Sequence, residues 1–413
     1  MAARGASPER GFSLDALRLP LAALGFFGLL AGLFSWLVEG QFTILPRVLL
    51  AAGVLLLGIV VAIDPETRPG EAIAAGVTTV GTVVYQMGDK KQNSTGTTER
   101  DVSTALVKLT RPEKKVYFTT GHGERRLDGF DQQDYSQIKA ALERDNFKTD
   151  TLNLITTRSV PDDAAEVIVA GPTNPFLPEE KDALRAYLDG GGKLFLLVGP
   201  GSKADFNDLL SKWETAFSGN LVIDPTRNFL NDVRVPVVDM YGSHAVTQGL
   251  RLATFYPAAT NITYPSTPTT GATIIALVQT SSDSWGNTNQ QQIQKQESDP
   301  KGPLALAVAI DQQIGTTTGQ DQPQKSARLV LLGSPNIVSN NALSVASGNQ
   351  DLFLQAANWL AEEDNLINIR APQTEARQML LTGTQLNLVI YSSMLFLPLA
   401  VLAVGAAVWW TRR

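Results

Sequence analysis

The chain contains no cysteine and only two histidines among its 413 residues. The first absence excludes disulfides, thiolate metal sites and a cysteine nucleophile together. The second confines imidazole chemistry to His122 and His244, and their spacing gives no pattern for the zinc site that would need both plus a carboxylate. No G-x-x-x-x-G-K-[ST] loop is present to cradle a nucleotide's phosphates, and no G-x-S-x-G elbow presents a serine nucleophile. The run Gly190-Gly-Gly-Lys193 lies after a helical pattern and before a strand, the reverse of the phosphate-binding order, and reads as a helix C-cap. Charge is scarce as well. Charged residues make up 18% and the net charge is −6, so no basic footprint for nucleic acid exists.

What the chain has instead is long apolar runs at its ends. Leu19–Val38 and Asn387–Trp410 are free of charged residues, and each reaches the roughly 20 residues that cross a hydrocarbon core of about 30 Å. A third run, Val48–Ile63, follows Pro46 and Arg47. The first run is longer than a signal-peptide core and lacks a clean small-x-small cleavage site, so the two N-terminal runs together predict an anchor hairpin. Arg4, Arg10 and Arg18 precede the first span, while Trp409, Trp410, Arg412 and Arg413 close the last, which places both ends in the cytoplasm by the positive-inside rule. Three crossings would put the ends on opposite sides, so either one span does not cross or one charge signal misleads. The expected organisation is a cytoplasmic tail over 1–18, a transmembrane hairpin over 19–63 and a linker with a β-hairpin over 64–110. A soluble α/β domain over 111–364, a juxtamembrane segment over 365–386 and a C-terminal transmembrane helix with a basic tail over 387–413 follow.

Between the spans the periodicity changes. Residues 81–87 and an outgoing arm flank the turn formers Gly88, Asp89 and Lys90, a hairpin signal. From Lys115 onward strands and helices alternate. Lys115–Thr119, Phe147–Leu154, Glu166–Ala170 and Lys193–Val198 read as strands, and Asp134–Arg144 and Pro178–Leu188 as helices. This rhythm predicts a largely parallel open sheet with helices on both faces. Further on, Ala204–Phe217 reads as helical, and Leu221–Ile223, Val235–Met240, Thr273–Val278, Leu304–Ile310 and Ala327–Leu332 as strands. The Gln-, Asn- and Ser-rich stretches Ser281–Gly302 and Gln312–Ser326 read as mobile surface loops. A final amphipathic helix, Asp351–Glu362, should bury Leu352, Leu354, Ala356, Ala357, Trp359 and Leu360 against the sheet.

The most pointed local motif is Gly121-His122-Gly123-Glu124, directly after the first strand of this unit. Ligands of open α/β sheets collect at the carboxyl ends of strands. The two glycines would let the backbone turn sharply and aim His122 and Glu124 into that crevice for acid/base or metal chemistry. Alternatively, the glycines make the turn and the two side chains hydrogen-bond the surrounding loops.

Four segments together carry a family resemblance. They are Val116-Tyr-Phe-Thr-Thr-Gly-His-Gly-Glu124, Asp189-Gly-Gly-Gly-Lys-Leu-Phe-Leu-Leu-Val198, Ser243-His-Ala-Val-Thr-Gln-Gly-Leu250 and Asn349-Gln-Asp-Leu-Phe-Leu-Gln-Ala-Ala-Asn-Trp-Leu360, the last with Ile369 and Arg370 after it. In order and spacing they resemble the gliding-motility type auxiliary component of ABC transport systems, over about Thr97 to Arg370. The resemblance implies a fold related to class I glutamine amidotransferases; with no cysteine here, amidotransferase activity is not carried over. It also implies a non-catalytic subunit anchored in the membrane, with its domain outside the cytoplasm and a separate ABC ATPase and permease as partners. From the residues alone no cofactor is expected, the apolar spans make membrane lipid a partner, and the charge balance predicts no contact with nucleic acid. The chain departs from the family pattern where Asp64–Gly70 runs almost directly into the hairpin near Val77; members usually have a further span and strand-rich segment there, so the chain is either a natural short form or lacks a piece of the N-terminal region. A competing expectation is a membrane-anchored envelope ligand sensor, or a hydrolase that uses the crevice at Gly121–Glu124 with Asp128 or His244.

Overall fold

The computed structural model describes residues 60–62, 83–87, 90–94, 105, 108–109, 112–289, 291–314, 325–362 and 388–412. The apolar run at Leu19–Val38 and most of Val48–Ile63 lie outside them. The chain divides into two units, Met1–Pro112 and Glu113–Arg413.

In the first unit, β1 (Val60–Ala62) pairs antiparallel with β2 (Val83–Met87), and β2 with β3 (Lys90–Ser94). Met87 opposes Lys90, so the hairpin turns where the Gly88-Asp89 signal lies. The strand at Val60–Ala62 corrects the sequence reading, which made these residues the tail of an apolar span. Val60 is paired with Tyr85 and Val61 with Val84 in the ladder, which satisfies the backbone groups on the side of β1 that faces β2.

The second unit is built on one nine-stranded sheet. Its first half comes from β4 (Lys114–Thr119), α1 (Ser136–Arg144), β5 (Phe147–Leu152), α2 (Leu154–Thr157), β6 (Ala164–Ala170), α3 (Pro178–Asp189) and β7 (Lys193–Leu197). Strands β5, β4, β6 and β7 lie side by side in that order, all parallel. A chain excursion follows through α4 (Asn207–Leu210), β8 (Ala216–Phe217), β9 (Leu221–Ile223), β10 (Asn228–Phe229), β11 (Asp232–Val238), β12 (Thr254–Phe255), β13 (Ile262–Thr263), β14 (Thr273–Gln279) and β15 (Trp285–Asn287). It returns through β16 (Ala305–Gln313) to β17 (Ser326–Leu332), which pairs parallel with β7. β16, β13, β8 and β14 complete the sheet antiparallel. The expected open parallel sheet is therefore its first five strands, with an antiparallel extension.

Alternation along the parallel strands divides the core. Val116, Phe118, Ile168, Phe195 and Leu197 face one side, and Tyr117, Val167, Val169, Leu194 and Leu196 the other. The first face is covered by α1, α5 (Asn340–Leu343) and α6 (Ser347–Leu360), the second by α3. All six apolar residues expected to bury from the final helix do so. Near its start, Asn349 is wholly buried and acts as a strand partner for Phe255, accepting from Phe255 N at 2.8 Å and donating to Phe255 O at 3.0 Å.

Two readings need correction here. The stretch Ala204–Phe217 is not one helix: after α4 it tightens to a 3-10 turn at Ser211–Trp213, and Glu214, at φ 51°, ends the turn before β8. Leu209, Leu210, Trp213 and Phe217 bury in the second core, which needs a bent path that a straight helix cannot follow. Nor is Ser281–Gly302 a plain surface loop. β15 pairs with β9, and Asp299, 3% exposed, accepts from Thr288 Oγ1 and Gln296 N, both at 2.8 Å. Of the other expected loop, Gln312 and Gln313 continue β16, and 315–324 lie outside the described residues.

The chain's last element, α7, spans Leu388–Thr411: 24 residues, with a mean hydropathy of 2.2 over its most apolar stretch and no buried residue in that stretch, long and apolar enough to cross a membrane. It contains a π-helical turn at Ser392–Phe396, just before Pro398, which has no N–H to donate. Ser392 and Ser393 hydroxyls donate to Val389 O at 2.9 and 2.8 Å, keeping polar groups satisfied within the helix.

Candidate functional site

Strand β4 lies between β5 and β6, so the direction of winding reverses beside it, and the carboxyl ends of β4 and β6 form the topological switch point where such sheets hold ligands. In this protein the two loops there close on each other. Gly121 (φ 119°) and Gly123 (φ 76°) carry the backbone through conformations that L side chains avoid. His122 O then accepts from Thr173 N and Asn174 N at 2.8 and 2.9 Å, and Arg125 N donates to Ala170 O at 2.9 Å. A Cβ at Gly123 would stand 2.1 Å from Thr173 Oγ1, so the β6 loop occupies the notch that this glycine leaves. One strand further on, Pro335 fills the matching space beside Gly171, 2.6 Å from where its Cβ would be.

The glycine geometry turns His122 inward. Its ring is 4% exposed and stacks on Phe176 at 4.0 Å. Nε2 lies 3.0 Å from Glu180 Oε2, and Nδ1 lies 3.6 Å from Glu124 Oε1, with both carboxylates buried. Glu124 Oε2 also accepts from His122 N at 2.7 Å. Glu180 sits in the first turn of α3 and accepts from Leu177 N at 2.8 Å, the half of a capping box that needs no side chain from Leu177. The imidazole therefore joins the β4 loop to the start of α3. Sequence reasoning aimed His122 and Glu124 into the crevice; the structure buries the His122 ring against Phe176 and Glu180, off the crevice wall, while Glu124 lies on that wall with a carboxylate oxygen toward His122. Phe176 and Glu180 were missed, although Pro178-Glu179-Glu180 opening a helix was a usable signal for a carboxylate at that terminus.

A crevice of about 650 Å³ does remain beside this cluster, between the ends of β4 and β5. Thr119, Thr120, Gly121, Gly123, Glu124 and Arg125 line it on one side, and Asp128 and Gly129 on the other; His122 is not part of its wall. Its cations are committed to structure. Arg125 donates to Gln133 and to Asn336 Oδ1, and Arg126 pairs with Asp134 at 2.8 Å and holds that carboxyl below its usual range. Asp128 is bonded to Lys139. His244, the other candidate, packs edge-on against Trp359 at 4.8 Å and its Nδ1 accepts from Val246 N. Neither it nor any third carboxylate joins His122, and the described residues contain no group of His, Asp and Glu arranged to hold a metal ion. At the crevice rim, Asn153 caps α2 by accepting from Ile155 N and Thr156 N. Asn153→Ala is expected to cost about 1 kcal/mol, measured as a shift in the urea midpoint at unchanged slope.

Comparison with known proteins adds the following. The model of a protein family described as "ABC-type uncharacterized transport system" matches residues 113–368, more than half of the chain. Among solved structures, the N-terminal domain of mmIFT52 is 18% identical, with 60% of this chain and 97% of that chain covered and a TM-score of 0.43. A ThuA-like protein from Parabacteroides merdae is 13% identical, with 67% and 96% covered and a TM-score of 0.34. A protein from Thermoplasma acidophilum described as a GMP synthase component is 8% identical, with 62% and 98% covered and a TM-score of 0.33. No curated protein matches.

Proposed function

The chain belongs to the family of ABC-type uncharacterized transport systems, and on that premise we propose that it serves as the non-catalytic, membrane-anchored auxiliary subunit of such a system. In this reading a separate ATPase supplies the energy and a separate permease the path, and α7 together with the N-terminal apolar runs holds the α/β domain beside them on the outer side of the membrane. The observation that carries the reading is the family match over residues 113–368, which spans the whole α/β domain. Site chemistry supports it. The switch-point crevice is filled by Thr173 and Pro335, His122 is held between two carboxylates below the surface, and no cysteine or serine elbow supplies a nucleophile. The chain also lacks a Walker loop, so a transport role requires another subunit to bind the nucleotide.

Purification of the tagged full-length protein from its native membranes in mild detergent, followed by mass spectrometry, tests the proposal. An ABC ATPase and a polytopic permease are expected in amounts comparable to the bait. Recovery of the protein alone would overturn the auxiliary-subunit role. The open crevice of about 650 Å³ favours a ligand sensor as the second reading, and in that case small-molecule binding would survive when both transporter subunits are absent.

A further inference from the structure

The edge of the sheet opposite the candidate crevice has chemistry of its own. A groove of about 500 Å³ runs along the amino ends of β4, β5, β6 and β7 and past the end of α6. The described domain begins and ends there: Glu113 and Glu362 both line the groove, and Lys114 Nζ donates to Ala361 O beside them. Beyond Glu362 the chain leads to α7, the exposed apolar helix of 24 residues. This edge is therefore the one tied to the membrane helix by sequence.

The groove's charged groups fall into two sets. Lys115 is paired with Asp163 at 2.9 Å and Lys193 with Glu362 at 2.8 Å, while Lys114 holds the α6 carbonyl. Three others have no partner among the described residues: the ammonium of Lys148 and the carboxylates of Glu113 and Asp162. A purely anionic ligand would meet two uncommitted carboxylates, and a purely cationic one would meet Lys148. A ligand with both a phosphate and an ammonium satisfies all three, and a lipid surface carries such groups; the apolar helix α7, next after this edge in sequence, favours that source.

We propose that this groove is the bilayer-facing surface of the domain and takes the zwitterionic headgroup of a phospholipid of the phosphatidylethanolamine type, with phosphate toward Lys148 and ammonium toward Glu113 and Asp162. The proposal rests on the membrane-anchored reading above. It adds which edge of the domain meets the membrane and which headgroup chemistry it selects.

The natural absence of cysteine makes the test direct. Arg144→Cys, at the exposed end of α1 just before β5, reports on this edge, and Phe130→Cys, 90% exposed in the loop after β4, reports on the opposite one. The full chain carrying either label is placed in nanodiscs whose lipids bear a headgroup quencher. Quenching at position 144 should exceed that at 130 several-fold in phosphatidylethanolamine discs and weaken in phosphatidylglycerol discs. Lys148→Glu should abolish the excess, and Asp162→Lys should invert the lipid preference; both side chains are exposed. Equal quenching at the two positions, or quenching at 144 that ignores headgroup and both substitutions, would overturn the headgroup site while leaving anchoring intact. A chain that fails to stay with the disc would overturn anchoring itself and this proposal with it.

Discussion

Glu166→Gln is expected to remove a fall in stability that the natural protein shows as pH rises above about 4.5. Glu166 lies in β6, fully buried, and among the described residues neither of its carboxyl oxygens has a hydrogen-bond partner. Burial pushes its pKa well above the ordinary 4.5, with Lys114 opposing the shift only in part. The sign follows from which state binds the proton. Below pH 4.5 both the folded and the unfolded chain carry it, and Glu166 contributes no pH dependence. Above that value the unfolded chain releases its proton while the buried carboxyl keeps it, so stability drops by up to about 1.4 kcal/mol per pH unit until the folded pKa is reached. Glutamine cannot ionise in either state. The difference in unfolding free energy between Glu166→Gln and the natural chain, measured by urea denaturation, should therefore grow in favour of the variant as pH rises above 4.5, with a slope of at most about 1.4 kcal/mol per pH unit. The amide has its own buried donors to satisfy, which shifts the whole curve by a constant and leaves the slope as the readout. Parallel curves across that range would show that Glu166 finds a partner or solvent in the folded state.

The second large effect is expected at Glu180. Its carboxylate accepts from Leu177 N and lies against His122 Nε2, and the imidazole and the carboxylate are both buried, with the ring stacked on Phe176. Glu180→Ala leaves a buried imidazole nitrogen and a helix N-terminal amide without acceptors, and a second buried carboxylate, Glu124, without its counterpart across the ring. One orphaned buried nitrogen and a lost cap together are expected to cost about 2–4 kcal/mol, a drop of about 5–10 °C in Tm for a domain of this size. Glu180→Gln keeps an acceptor at the same reach and should recover the larger part of the loss. The pair of variants also separates structure from chemistry. If His122 and Glu180 tie the β4 loop to α3, recovery of transporter subunits per folded molecule is unchanged in Glu180→Gln; a collapse of function in a fully folded Glu180→Gln protein would assign the cluster a chemical role.

The ring of small residues around the switch point explains why this architecture can carry its loops so close together. Gly123 admits Thr173, and Gly171 and Gly199 admit Pro335, each at separations that a methyl group would violate or crowd. The notch between the β4 and β6 loops is thus filled by residues of the same chain, and the open crevice lies to one side of it, toward β5. Lys114, Lys193 and Arg328 work at the other end of the sheet. They reach the last turn of α6 from three different strands, and Arg328 donates to Trp359 O at 2.6 Å with its guanidinium over the indole. Cations at a helix carboxyl end satisfy its free carbonyls and oppose its dipole. The end of α6, beyond which the chain runs on toward the apolar helix α7, is thereby tied to the sheet.

How much of this could be read without coordinates depends on the range over which each signal acts. The chemistry ruled out by missing cysteines, by two distant histidines and by the absent phosphate loop follows from composition and motif alone. So do the strands β4, β6 and β7, the helices α1, α3 and α6 and the terminal apolar helix, because alternation, helical spacing, Pro178 at a helix start and an uninterrupted apolar run are all local properties. Tertiary structure decided the rest. Two positive φ values and a carboxylate on another element turned His122 inward; a ladder with β2 made a strand of Val60–Ala62; pairing with β9 organised the glutamine-rich stretch. The burial of Glu166 and the uncommitted charges at Lys148, Glu113 and Asp162 depend on which strands lie side by side. That order is set by long-range pairing, and periodicity within one segment carries no record of its neighbours.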